Sequence, residues 1–245
     1  MLLKLLKYDF RAMWKQFSLI WGAAFALSLV NRAILFLRFG DDLPINPDLF
    51  SLGLISVIMA MFVISIRFVI NRFSEGLLGS EGYLMHTLPV RSWQLVLSKL
   101  VCGAVTWIIS GMVALVSPIL MTPIHYWREI IQITFGHYSN LFIILEICLF
   151  FASVIIQIVA TIYLAVSIGH LCVHHRRLVS VAAFIGLYIL LVNVWMFLED
   201  LIWRWMNSDV SIQSNLLAAT ATMLIPAAVF LTAVCWILDH KLNLE

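Results

Sequence analysis

Charge is what this sequence has least of. Asp, Glu, Lys and Arg together make up 11% of its 245 residues, where soluble domains carry about 25%. With 63% hydrophobic residues and a mean hydropathy of +1.02, an ordinary soluble domain is excluded and an integral membrane protein is indicated. The alternating pattern of a membrane barrel is missing as well. Backbone in lipid must satisfy its own hydrogen bonds, so helices are what remain. Cysteine is sparse: Cys102, Cys148, Cys172 and Cys235 lie in or beside apolar runs at irregular spacings, which fits neither a disulfide framework nor a zinc pattern. They are expected to be packing residues. No small-x-small cleavage site follows the basic start, so that start reads as an anchor rather than a signal peptide.

A bilayer core of about 30 Å takes about 20 apolar residues per helix. Six runs of that length occur, at 17–37, 50–71, 100–121, 140–168, 178–198 and 215–238. Almost nothing is left for a soluble domain, so the expectation is an all-α, polytopic membrane protein in which 1–245 form a single transmembrane domain. Lys4, Lys7, Arg11 and Lys15 precede the first span, Arg72, Arg91 and Lys99 follow the second, Arg176 and Arg177 follow the fourth, and Lys241 ends the chain. The opposite segments hold Asp41, Asp42, Asp48, Glu129, Glu199, Asp200 and Asp209, with Arg38, Arg128 and Arg204. By the positive-inside rule both termini are expected on the cytoplasmic side of a cell membrane.

In "MLLKLLKYDFRAMWKQF" the basic residues Lys4, Lys7, Arg11 and Lys15 fall on one helical face, and Leu2, Leu6, Phe10, Met13, Trp14 and Phe17 on the other. This predicts an amphipathic helix over 1–16 lying in the membrane interface. It is either a positive-inside anchor held by anionic lipid or a lever attached to the first span.

Between spans two and three lies "SEGYLMHTLPVRSWQLVLSKL", residues 80–100. Pro89 lacks a backbone donor and disfavours helix at Leu88, so the chain should break near Thr87–Leu88. Trp93, Val96, Leu97 and Leu100 then recur at helical spacing, with Arg91, Gln94 and Ser98 on another face, so a helix is predicted to start near Ser92 and to run into the third span. Gly76, Gly79 and Gly82 precede the break, without the Gly-Lys-Ser/Thr ending of a phosphate cradle. They are read as turn and packing residues. The result is a cytoplasmic elbow carrying Glu75, Glu81, Tyr83, Arg91, Trp93 and Lys99.

Together, the interfacial start "LLKYDFRAMWKQF" and the segment "EGYLMHTLPVRSWQLVLSKL" resemble the permease subunits of bacterial type-2 ATP-binding-cassette exporters, and the resemblance extends over the whole six-span chain. It implies a coupling helix within about 75–99 that docks on a separately encoded ATPase and passes that protein's closure to the membrane domain. The residues it marks are Glu81, Gly82, Tyr83, Leu84, Thr87, Leu88, Pro89, Val90 and Lys99, with Met85 and His86 at permissive positions. It further implies that ATP and Mg are bound by two copies of the partner ATPase, and that this chain pairs with a second copy of itself or a related permease. No cofactor is expected in this chain, and no nucleic acid partner. No Walker motif is present, which fits a permease that does not itself bind ATP.

His170, His174 and His175 in "GHLCVHHRRL" have a possible metal spacing, but only Cys172 offers a further ligand and Arg176 and Arg177 adjoin it. A basic loop is the expectation, and no metal site. Arg32, Glu146 and Asn193 each fall a turn or two inside the outer end of a span. They form either a polar cluster, with an Arg32–Glu146 pair as a structural lock or a point on an exit path, or separate residues reaching the headgroups. Arg67 can snorkel. Pro118 and Pro226 are candidates to kink or end helices, and Gly111 and Gly186 to allow close approach. Trp127, Tyr126, Trp203 and Trp205 in the outer segments read as an aromatic belt or a cap on the path.

The function expected is that of an export permease with an amphiphilic cargo (peptide, lipid or drug) and no enzymatic activity of its own. A membrane-embedded enzyme such as an intramembrane protease is the alternative, but needs reactive residues facing one another inside the spans. Intramembrane histidines, Glu-Glu-x-x-x-Arg and Gly-x-Ser-x-Gly are absent. An ion-coupled secondary transporter would show inverted repeats and several midplane ionisable groups, and neither is found.

Overall fold

Apolar runs of this length can satisfy their backbone in lipid only as helices, and each expected span lies inside one helix to within a residue. The computed structural model describes residues 2–37, 47–78, 91–121, 127, 141–172, 175–205 and 212–240. Among them are α1 (Leu2–Leu37), α2 (Pro47–Phe73), a π-helical turn (Ser74–Leu78), α3 (Ser92–Met121), α4 (Leu141–His170), α5 (Arg176–Trp205) and α6 (Ile212–His240). All six α-helices are long and apolar enough to cross a membrane. The chain is therefore a multi-pass, all-helical membrane protein.

The interfacial helix expected over 1–16 is not a separate element. α1 runs unbroken for 36 residues, about 54 Å at 1.5 Å per residue. One stripe runs down most of it: Asp9, Met13, Phe17, Trp21, Ala24, Ser28 and Asn31 are buried at successive steps of three or four, while Lys7, Arg11 and Lys15 are exposed. Trp14, expected on the apolar face with Met13 and Phe17, is exposed while those two are buried.

Pro47 opens α2, where a missing amide donor costs nothing. The prolines expected to kink or end helices both lie within them, Pro118 one turn before the end of α3 and Pro226 in the middle of α6. The cysteines are all free. Cys102 is buried as a packing residue should be, but Cys148 faces outward.

The described chain divides into two compact units. One comprises Lys7–Arg67 and Val105–Leu141, the other Met1–Leu6, Phe68–Ala104 and Phe142–Glu245. In the former, the Trp21 indole N–H donates to Ser110 Oγ at 3.2 Å, joining α1 to α3, and Phe62 of α2 meets Trp107 of α3 edge to face at 5.0 Å between centroids. Its buried hydroxyls satisfy themselves on their own helices, Ser28 on the Ala24 carbonyl and Ser65 on that of Met61.

In the latter unit the core centres on the second half of α4. From Val159 to Ser167 every residue is buried, and Tyr163 is the largest fully enclosed side chain among the described residues. A helix buried all round is the middle of a core. Around this stretch are the buried residues Phe68, Val69, Phe73 and Leu77 at the end of α2, Leu95, Val96 and Leu100 at the start of α3, and Val234, Ile237 and Leu238 at the end of α6. α5 differs from all of these: no residue of its apolar window is buried.

Candidate functional site: where residues 79–90 leave α2 and rejoin α3

The positions singled out in the sequence between spans two and three fall largely outside the described residues: Glu81, Gly82, Tyr83, Leu84, Thr87, Leu88, Pro89 and Val90, together with Met85 and His86. The chain on either side of them is described. There the geometry is specific.

On the upstream side, α2 gives way after Phe73 to the π-helical turn Ser74–Leu78, in which Gly76, Leu77 and Leu78 are buried and Glu75 is exposed. Phe73 stacks on Tyr163 of α4 with centroids 4.2 Å apart and ring planes at 15°. On the downstream side α3 begins at Ser92, as the helical spacing predicts. The Gln94 amide closes its first turn by donating to the Arg91 carbonyl at 2.9 Å. The Ser92 hydroxyl donates to the Asp239 carboxylate near the end of α6.

The start of α3 buries residues from both of the faces that the spacing distinguishes. Val96 and Leu100 are buried, but Trp93 and Leu97 are exposed, while Ser98 and Lys99 point inward. Lys99 is 2% exposed. Its Cε and Nζ lie 3.4 and 3.5 Å from where a side chain on Gly76 would begin. In this conformation Lys99 serves the interior of the protein and is not open to a docking partner.

Close approach occurs at a glycine that the sequence pattern did not single out. A Cβ on Gly103 would sit 3.3 Å from Val69 Cγ2 and 3.5 Å from the Tyr163 hydroxyl, so this glycine lets α2, α3 and α4 converge. Gly111 and Gly186, expected in that role, have nothing within 4 Å of the same point and face open space. Among the described glycines, Gly169 is also crowded. There a Cβ would overlap the Ser180 hydroxyl and lie 2.8 Å from the Arg176 carbonyl, at the corner between α4 and α5.

The histidine segment divides. His170 Nδ1–H donates to the Val166 carbonyl at 3.0 Å. His175 takes a positive φ of 60° and its carbonyl receives the Val179 amide at 3.1 Å, which starts α5. His174 is outside the described residues. Among the described residues no group of three or more His, Cys, Asp or Glu side chains comes together.

Arg32 and Glu146, read either as a pair or as separate residues, belong to different compact units. The Arg32 guanidinium lies over the Trp127 ring, 5.6 Å from its centroid. Glu146 is half-buried on α4, with Oε2 enclosed and without a hydrogen-bond partner. The Asn193 amide donates to the Ile189 carbonyl of its own helix at 2.7 Å and is exposed. Of the aromatic residues in the outer segments, only Trp127 has a described side chain.

Sequence reasoning missed the Ser92–Asp239 tie, the Gly76–Lys99 contact and the Phe73–Tyr163 stack. For Lys99 a signal was available, a single cation inside the run "LVLSKLVCG". Comparison with protein-family models, with curated proteins and with solved structures finds no match for the chain.

Proposed function

We propose that this chain is the membrane-spanning subunit of an ATP-binding-cassette exporter, and that residues 79–90 form the contact with a separate ATPase. The observation that carries this reading is how the two ends of that segment are seated. Its upstream end is the buried turn after Phe73. Its downstream end is a helix start tied to α6 through Asp239. Both ends belong to the unit whose core is the enclosed half of α4. A push on a segment rooted in a densely packed core moves helices, because packed interiors are stiff and transmit strain. The same push on a loosely rooted loop would be lost in the loop.

The residues of the segment supply the second support, through the resemblance of "EGYLMHTLPVRSWQLVLSKL" to export permeases. In this reading ATP closes a pair of ATPases, the segment moves with them, and the spans of two permease chains change the side to which their path opens. The exposed row Lys7, Arg11 and Lys15 supports a reading in which the first turns of α1 lie at the cytoplasmic headgroups. This fits a helix of about 54 Å crossing a core of about 30 Å. The cargo is amphiphilic, in keeping with an apolar interior.

The test is co-purification. An affinity-tagged chain extracted from its native membranes in mild detergent should carry an ATPase with Walker motifs. The triple substitution Glu81→Ala, Tyr83→Ala and Pro89→Ala should lose that ATPase while the six-helix protein still assembles. Absence of an ATPase, or its retention by the triple variant, overturns the proposal.

A further inference from the structure

Polar residues are scarce on α4, and three of them share one face. At 3.6 residues per turn, Ser153 and Gln157 lie within about 20° of Glu146 around the helix axis. The donors on this face are already used. The Ser153 hydroxyl donates to the Phe150 carbonyl at 2.7 Å, and the Gln157 amide donates to Thr161 Oγ1 at 3.3 Å. Two acceptors are not. Glu146 Oε2 and Gln157 Oε1 are enclosed and have no hydrogen-bond partner, and Gln157 as a whole is only 5% exposed. An enclosed acceptor left unpaired is costly, a carboxylate most of all. What this face lacks is a donor, and at Glu146 a donor with positive charge.

The cations of the chain do not supply it. Among the described side chains of the unit that contains α4, Arg72, Arg91, Lys99, Arg176 and Arg177 stand at or beyond the level of Tyr163, toward the His170 end. That level is about 25 Å from Glu146 at 1.5 Å per residue. A metal ion fits poorly, because hard cations take several oxygens at once and Ser153 is about 10 Å further along the helix than Glu146. The surface beside the carboxylate is apolar. Phe142 and Leu149, one turn before and one turn after Glu146, are both exposed. A half-buried carboxylate between apolar side chains suits a molecule with a positive head and an apolar body. Ionisable groups at such depth mark the pathways of substrates and ions.

We infer that this face of α4 binds the head of an amphiphilic organic cation, an ammonium or guanidinium with N–H donors. The head pairs first with the Glu146 carboxylate and then, about 16 Å further along, with Gln157. That this cation is the cargo rests on the proposed export function and narrows it; the binding itself does not rest on it.

Charge can be separated from apolar attraction. Dansylcadaverine, a primary ammonium on an apolar fluorophore, is titrated at neutral pH into the full chain in phosphatidylcholine nanodiscs. Energy transfer from the protein's tryptophans is read against empty nanodiscs. The N-acetyl derivative, which keeps the fluorophore and loses the charge, is the reference. The inference predicts saturable binding of the ammonium that is about tenfold weaker in Glu146→Gln, and within about twofold of wild type in Glu199→Gln on exposed α5. Combining Glu146→Gln with Gln157→Glu moves the carboxylate along the same face and should restore binding to within about threefold of wild type. The acetylated probe should bind every variant alike. Glu146→Gln binding the ammonium as tightly as wild type overturns the inference. So does a double variant that stays as weak as Glu146→Gln. An equal loss for the acetylated probe overturns it too, since the site would then read the apolar body and not the charge. No ATPase takes part in the titration, so failure of the proposed function leaves this result standing. If both hold, Glu146→Gln retains the co-purified ATPase and loses export of the cation.

Discussion

Phe73 and Tyr163 lie face to face, their ring planes 15° from parallel and both side chains fully buried. One ring is the last residue of α2 before the helix widens, and the other stands at the centre of the enclosed half of α4. The stack fixes the upstream root of the 79–90 segment to the core. Aromatic pairs contribute about 0.5–1.5 kcal/mol beyond the area they bury. Phe73→Leu and Tyr163→Leu should each destabilise the protein, and the double variant should lose about 1 kcal/mol less than the sum. Equilibrium unfolding in mixed detergent micelles measures this coupling.

Ser92 and Asp239 join the downstream root to α6. The carboxylate accepts from the hydroxyl at the first residue of α3, where negative charge also suits the helix dipole, a contribution of about 1 kcal/mol. Ser92→Ala and Asp239→Asn should each cost roughly that amount. In a double-mutant cycle the second substitution should add little to the first, since both remove one interaction. Full additivity would show that the two residues act independently.

The same substitution should have opposite effects at two glycines. Gly103→Leu forces a side chain between Val69 and the Tyr163 hydroxyl and should cost about 1–3 kcal/mol by overpacking. Gly186→Leu enters open space on an exposed helix and should gain up to about 1 kcal/mol from helix propensity. Unfolding midpoints of the two variants decide this. A destabilised Gly186→Leu would reveal a neighbour packed on that face of α5.

Arg32 over the Trp127 ring should give a coupling of about 0.5–2 kcal/mol between Arg32→Ala and Trp127→Ala. A structural lock joining Arg32 to Glu146 makes a different demand. Breaking such a buried pair costs about 3–5 kcal/mol, so Arg32→Ala and Glu146→Ala should each abolish stable assembly or export. Tolerance of both single variants removes the lock.

Six helices were legible in the sequence because a membrane span is a property of length and composition, and bilayer thickness fixes both. Which face of each helix turns inward was less legible. Hydropathy distinguishes core from water, but it does not distinguish core from lipid. Trp93, Val96, Leu97 and Leu100 share one helical spacing, yet Trp93 and Leu97 are exposed while Val96 and Leu100 are buried, and Ser98 of the other face is buried too. The contrast between Gly103 and Gly186 has the same origin: both are glycines in apolar helices, and only the approach of Val69 and Tyr163 separates them. The widening of α2 at Ser74–Leu78 left no compositional mark, since Gly76 fits a turn as well as a π-helical end. What residues 79–90 touch was suggested by resemblance alone, because a docking surface is defined by its partner.

That contact can be tested at a single side chain. A photoreactive benzoylphenylalanine is placed at Tyr83, and for comparison at Tyr188 on the exposed α5. The chain is irradiated in its native membranes, and its adducts are identified by mass spectrometry. The account predicts that the Tyr83 position captures an ATPase carrying Walker motifs, and that the Tyr188 position does not. A Tyr83 position that yields no ATPase adduct, in cells where the chain is inserted and stable, contradicts it.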